Sequence, residues 1–87
     1  MHAKDNFIKS GMDYNPGRGW HLTRSGYYRR SAIIGHGVVP TFQILQALKS
    51  QGYDGWVSIE YSGIEENLMA IEIGSENLKR MMKDLEK

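Results

Sequence analysis

The chain contains no cysteine and only two prolines among its 87 residues. The lack of cysteine excludes disulfide bonds and thiolate zinc sites, and it fits a reducing compartment, so we expect a cytoplasmic location. No apolar run approaches the roughly 20 residues that cross a membrane. The sequence therefore predicts neither a disulfide scaffold nor a membrane partner.

An excess of charge of one sign is also lacking. The chain has 11 basic and 10 acidic residues, which gives a formal net charge of +1. Nucleic-acid-binding domains usually carry a strong basic excess, and acidic interaction tails carry the opposite. We expect no nucleic-acid partner.

The first third of the chain, residues 6–37, has no sustained apolar period. A connection of this length without secondary structure is uncommon in a compact domain and is usually functional or disordered. Aromatic side chains disfavour disorder, so an ordered loop with a function is expected. The segment contains six glycines and five aromatic residues, Phe7, Tyr14, Trp20, Tyr27 and Tyr28.

The remainder shows clearer periodicity. Pro40 fits the first turn of a helix over residues 40–51, and Gly52 stands where a left-handed C-terminal residue is expected. Residues 56–61 are rich in β-branched and aromatic side chains and predict a strand. An apolar stripe predicts a last helix from residue 65 or 66 to 85. The predicted order is strand end, long loop, helix, strand, helix, with a parallel strand pair.

Two residues at predicted strand ends could carry chemistry. Glu60 ends a mostly apolar strand, where a carboxylate is costly to bury unless it is paired or metal-bound. His2 offers an imidazole, a common ligand of divalent metals. From position alone, a solvent-facing glutamate and an exposed terminal histidine are the more common explanations. Two ligands of mixed nitrogen and oxygen type also need further donors to hold a metal.

Other polar residues give weaker signals. His36 lies between two glycines just before a helix, where the backbone can approach an anion, although a tight turn explains the pattern equally well. Arginines are concentrated in the long loop, and their forked side chains suit phosphate or carboxylate groups, although loop arginines are most often solvated or structural. These arginines are Arg18, Arg24, Arg29 and Arg30.

Taken together, several segments resemble the sugar phosphate isomerase/epimerase family, the xylose-isomerase-like TIM barrels. The combination of Gly-Tyr-Asp-Gly, an apolar strand and Glu-Tyr is the most specific part, and the resemblance covers nearly the whole chain. The matching stretches are residues 2–5 (HAKD), 33–40 (IIGHGVVP), 44–48 (ILQAL), 52–56 (GYDGW) and 58–61 (SIEY).

The resemblance implies an α/β fold, with residues 1–87 forming the C-terminal part of one barrel domain, the last two βα units of a (β/α)8 TIM barrel. It implies that His2 and Glu60 ligate one divalent metal, Mn²⁺, Mg²⁺, Co²⁺ or Zn²⁺, and that Glu60 also acts as a catalytic acid/base. Lys4, His36 and Arg30 would contact the substrate. His36 departs from the family, in which many members have glutamate between these glycines.

The function implied is that of a metal-dependent isomerase or epimerase of a sugar or sugar phosphate. It would remove a proton next to a carbonyl through a metal-stabilised enediolate, and a homo-oligomer is expected. The 87-residue chain alone would then be an inactive fragment. Two alternatives stay open: a non-catalytic barrel fragment that oligomerises, and a dehydratase or lyase on the same barrel. A related endonuclease is disfavoured, because residues 29–31 lack the Asp-x-His pair that holds extra zinc.

Overall fold

A computed structural model describes residues 1–86 of the chain. It contains two helices and five strands, arranged as one parallel pair and one three-stranded antiparallel sheet. In chain order the elements are β1 (His2–Ala3), β2 (Asp5–Ser10), β3 (His21–Leu22), β4 (Tyr27–Ala32), α1 (Thr41–Ser50), β5 (Ser58–Ile59) and α2 (Asn67–Leu85).

The antiparallel sheet has the order β2-β4-β3. Its longest ladder runs from the pair Asp5–Ala32 to the pair Ser10–Tyr27. A turn closed by the hydrogen bond from Gly26 N to Thr23 O, 3.0 Å long, leads from β3 into β4. Directly opposite residues of such a ladder share a face of the sheet, so the register fixes which side chains are neighbours.

The parallel pair joins the two ends of the chain. β1 pairs with β5 so that His2 lies opposite Ser58 and Ala3 opposite Ile59. The Glu60 backbone N–H continues the ladder by donating to Ala3 O at 2.9 Å. Positions 2 and 60 are thereby brought to neighbouring strands although 58 residues separate them in sequence.

Both helices lie close to where the sequence predicts them. Pro40 directly precedes α1, where its missing N–H costs nothing, and Gly52 has a φ of +78° just past the helix end. At the start of α2 the Glu66 carboxylate accepts hydrogen bonds from the Leu68 and Met69 backbone N–H groups. Such side-chain capping satisfies donors that the helix itself leaves unpaired.

The hydrophobic core lies between the parallel pair and the two helices. Its buried members are contributed by β1, the segment after β4, α1 and α2, and partly buried residues extend it. They are Ala3, Ile34, Leu45 and Leu78, with Met1, Val57, Ile59, Met81 and Leu85 packed against them. The first turn of α2 is exposed at Leu68 (78%), whereas Ala70 and Gly74 further along the helix are buried. The core thus fixes the strand pair that carries positions 2 and 60.

The predicted fold class, the last two βα units of a (β/α)8 TIM barrel, is wrong. The long segment predicted as a loop forms most of a three-stranded antiparallel sheet, so the order of elements is not strand, helix, strand, helix. The physical reason is that β4 carries arginines and tyrosines on both faces, and no alternation of apolar and polar residues marks it as a strand. The predicted strand over 56–61 also shrinks to two residues.

Neither helix of residues 1–86 combines the length and the hydropathy that crossing a membrane would require.

Candidate functional site: the His2–Glu60 pair

The structure brings together the two residues that the sequence singles out most strongly. His2 Nδ1 lies 2.7 Å from Glu60 Oε1. The contact follows from the parallel pairing of β1 and β5, because His2 lies opposite Ser58 and Glu60 is two positions beyond Ser58, a diagonal neighbour of His2 on the same face. The pair rests on the backbone of the two strands that border the core.

The pair is open to solvent. The His2 side chain is 74% exposed and the Glu60 side chain 49%. A contact this exposed contributes little to stability, because water competes for both groups. Within residues 1–86, no second group donates to the Glu60 carboxylate, so its other oxygen, Oε2, has no protein hydrogen-bond partner. Both side chains therefore have unused capacity for a ligand or a proton.

The donor set fits part of a divalent-metal site. An imidazole nitrogen and a carboxylate oxygen are common ligands, and two tetrahedral ligands at about 2.0–2.2 Å from one cation lie about 3.3–3.6 Å apart. The observed contact of 2.7 Å is a direct contact of hydrogen-bond length, so the two groups would have to separate slightly to admit a cation. No group of three or more histidine, cysteine or acidic residues suited to a metal occurs in the described part of the chain. The pair fits two coordination positions and leaves the others to water, substrate or another chain.

His36 lies in a turn whose backbone is held by Asp5. The Asp5 side chain is completely buried, and its Oδ2 accepts from Gly35 N and Gly37 N at 3.0 Å each. Its Oδ1 accepts from Asn6 N at 2.8 Å and from Val39 N at 3.0 Å. The anion at this turn is thus a side chain of the protein itself, and the exposed His36 ring projects from a structural turn.

Arg30 belongs to a different cluster, on the other side of the antiparallel sheet from Arg29. Its Nη1 donates to both oxygens of Glu65 at 2.9 and 3.1 Å. Its guanidinium carbon lies 4.6 Å from the centre of the Phe7 ring and 5.7 Å from that of Trp20. Only 13% of the Arg30 side chain is exposed. No hydrogen bond or ion pair of residues 1–86 joins it to His2 or Glu60.

Tyr61 completes the cluster around Glu65. Its hydroxyl donates a short hydrogen bond to Glu65 Oε1 and accepts one from Glu65 N at 2.8 Å. The hydrogen bond from Tyr61, with the bonds and charge of Arg30, holds the pKa of Glu65 below its ordinary value. Burial, followed by the hydrogen bond to Glu65, raises the pKa of Tyr61. Both shifts favour a glutamate that stays ionised, which suits a structural carboxylate.

Sequence reasoning missed the role of Asp5 and the Arg30–Glu65–Tyr61 cluster. Three of the four backbone donors to Asp5 are 30 to 34 positions away, and Glu65 is 35 positions from Arg30. No local spacing rule reaches that far. The one available signal is that Asp5 and Glu65 are carboxylates beside short apolar stretches, which predicts a partner but does not identify it.

Lys4, the remaining predicted substrate contact, lines a small polar cavity with Arg29.

No protein-family profile, no curated protein and no solved structure matches the chain. The substrate, the metal and the homo-oligomer stay predictions.

Proposed function

We propose that the chain supplies the His2–Glu60 half of a divalent-metal-dependent centre that isomerises or epimerises a hydroxy-carbonyl compound, a sugar or sugar phosphate. The observation that carries the proposal is the exposed contact of 2.7 Å between His2 Nδ1 and Glu60 Oε1 on adjacent parallel strands. The resemblance of the segments around both residues to a sugar isomerase and epimerase family supports the same chemistry.

In this proposal the imidazole of His2 and the carboxylate of Glu60 would hold the cation. When bound, a divalent cation supplies a Lewis acid that polarises the carbonyl and aligns an adjacent hydroxyl. The structure holds His2 and Glu60 by backbone pairing to the core, which positions both donors without ordering a loop.

Glu60 also acts as the acid/base in this proposal. Its free oxygen takes the proton from the carbon next to the carbonyl. The electron pair of the broken C–H bond forms a C=C bond to the carbonyl carbon, and the carbonyl π electrons move to the carbonyl oxygen. The same carboxyl group then returns a proton to the substrate. A carboxylate in this role must lie within hydrogen-bond reach of the carbon-bound proton. The exposure of Glu60 permits that approach, whereas the saturated Glu65 has no oxygen left for it.

Exchange of substrate protons with solvent tests this chemistry. The protein is incubated in D2O with Mg²⁺ and dihydroxyacetone, and NMR follows loss of the C–H signal next to the carbonyl. We expect Glu60→Gln to slow this loss by about a hundredfold, the range of a single acid/base group. Glu72→Gln, which alters an exposed carboxylate on α2, is the matched control and should exchange at the wild-type rate. Because only half of the centre is present, we expect the wild-type chain to turn over no isomer and to catalyse only slow proton exchange above the rate in Mg²⁺ buffer. A wild-type rate equal to that of Mg²⁺ buffer, or equal rates for wild type and Glu60→Gln, would overturn the proposal.

A further inference from the structure

A small polar cavity is lined in part by residues that closely follow His2 and Glu60 in the sequence. Its volume is about 60 Å³, and we call it the basic pocket. Two of its residues follow the pair directly along the chain, since Lys4 is two positions after His2 and Ser62 two positions after Glu60. The residues that line it are Lys4, Asn6, His21, Arg29, Ser31 and Ser62.

The register of the antiparallel sheet assembles the pocket. Asn6 lies opposite Ser31, and His21 lies opposite Arg29. Ser31 and Arg29 are two positions apart on β4 and therefore point to the same face. Four pocket residues thus share one face of the sheet, while Arg30 takes the other. The register of the sheet therefore fixes which of these side chains lie next to one another in the pocket.

The pocket is basic and contains no carboxylate. Its cations, Lys4 and Arg29, have no ion pair with any residue from 1 to 86. Arg30, one position further along β4, is by contrast paired with Glu65. Since a folded chain usually neutralises cations that meet in a cavity, two unpaired cations and a histidine favour an external anion.

One neutral group of the pocket offers a matching hydrogen bond. Ser31 is only 8% exposed, and its Oγ accepts from Ser62 N at 3.1 Å. Its own hydroxyl proton is therefore available to a ligand oxygen. Asn6 Oδ1 is buried without a hydrogen-bond partner in residues 1–86. An unpaired buried acceptor is costly, but this oxygen has almost no accessible surface. Ser31 is therefore the neutral group that offers a ligand a hydrogen bond.

We propose that the basic pocket binds the anionic group, a phosphate or a carboxylate, of the hydroxylated substrate whose carbonyl end meets Glu60. This inference rests on the proposed function for the carbonyl end. β1 and β5 are parallel, so Lys4 and Ser62 both lie on the same side of the pair. Lys4 and Ser62 lie just past the ends of β1 and β5. Two residues of chain span at most about 7 Å, a distance that a short hydroxylated chain can bridge.

Titration with simple anions tests the pocket. The ¹⁵N-labelled protein is titrated with inorganic phosphate and, separately, with acetate, at constant ionic strength, and amide shifts are followed by NMR. We expect saturable shifts at residues 4, 6, 29, 31 and 62. The anion with the higher affinity identifies the group as phosphate or carboxylate. Shifts that are absent or spread over all basic residues would overturn the proposal.

Charge variants sharpen that test. Arg29→Gln should weaken binding of the preferred anion by about tenfold, since it removes a charge-assisted hydrogen bond. Arg29→Lys should recover part of the loss, which separates binding from folding. Arg24→Gln removes the same charge from the turn between β3 and β4, outside the pocket, and should leave the affinity unchanged. Equal losses in Arg29→Gln and Arg24→Gln would show a general charge effect and contradict the pocket.

The two proposals fail separately. Anion binding in the pocket needs neither the metal nor the Glu60 carboxylate, so Glu60→Gln should bind phosphate like wild type. If phosphate binds but the substrate carbon does not exchange its proton with solvent, the basic pocket is supported as an anion site and the proposed function is rejected. If the proton exchanges but no anion binds, the proposed function is supported and the basic pocket is rejected as an anion site.

Discussion

Glu60 and Glu65 are five positions apart, and the fold treats them in opposite ways. Glu65 receives hydrogen bonds from Arg30 and Tyr61 and is 29% exposed. Glu60 has one side-chain partner, His2, and is 49% exposed. Asp5 extends the contrast, because it is fully buried and accepts four backbone N–H groups. The fold uses Asp5 and Glu65 to hold itself together and leaves Glu60 free for a ligand.

The largest effect is expected at Asp5. Asp5→Asn keeps the shape but replaces one acceptor oxygen with an amino group that faces two N–H donors. We expect the free energy of unfolding to fall by about 3 kcal/mol, because charged hydrogen bonds are lost and buried donors are left unpaired. Urea denaturation followed by circular dichroism measures the change.

Asp13→Asn is the control for that substitution. The Asp13 side chain is 50% exposed, and its contact with Lys9 is 3.8 Å long. Loss of the Asp13 charge should change the free energy of unfolding by less than about 0.5 kcal/mol. Similar losses for Asp5→Asn and Asp13→Asn would contradict the structural role of Asp5.

An intermediate effect is expected at Glu65. Glu65→Gln leaves the Arg30 guanidinium without its charged partner, and we expect the free energy of unfolding to fall by about 2 kcal/mol at pH 7, less than for a fully buried pair. Tryptophan fluorescence should report the transition, since Trp20 lies beside Arg30.

The effect of Glu65 depends on pH in a defined direction. Its pKa is lowered in the folded protein from an ordinary value of 4.5. The unfolded chain therefore binds the proton first, so the stabilisation is complete above pH 4.5 and is lost as the pH falls through the folded-state value. The difference in free energy of unfolding between wild type and Glu65→Gln should shrink in acid. A difference that stays constant from pH 7 to pH 3 would exclude this linkage.

The smallest effect on stability is expected at Glu60. Glu60→Gln removes an exposed ion pair with His2, and the free energy of unfolding should change by less than about 0.5 kcal/mol. Denaturation under the same conditions as for Glu65→Gln gives the comparison. A loss as large as that of Glu65→Gln would mean that Glu60 is structural, and the contrast between the two glutamates would fail.

The sequence predicts local features of this fold well and distant ones poorly. α1, α2 and the positive φ of Gly52 follow from helical spacing and the conformational freedom of glycine. β4 does not, because its aromatic and arginine side chains occupy both faces and produce no period of two. The barrel fragment was expected from segment resemblance, and the antiparallel sheet of the intervening segment contradicts it.

Some features of the candidate site could be predicted from the sequence and others could not. The closeness of His2 and Glu60 follows from the predicted parallel strand pair, although His2 begins its strand instead of ending it. The role of Arg29 could not be separated from that of Arg30 by sequence. Only the pairing register places one in the basic pocket and the other against Glu65. Neighbouring arginines on a strand point to opposite faces of the sheet, and composition does not show which face carries the basic pocket and which carries Glu65.

Titration with Mn²⁺, followed by electron paramagnetic resonance of the free ion, tests the central claim that His2 and Glu60 form an open ligand pair. We predict weak binding, on the order of millimolar for two protein ligands. Glu60→Gln and His2→Ala should each weaken it by at least about tenfold. Glu72→Gln should bind like wild type. An affinity that is the same in wild type, Glu60→Gln and His2→Ala would contradict the account.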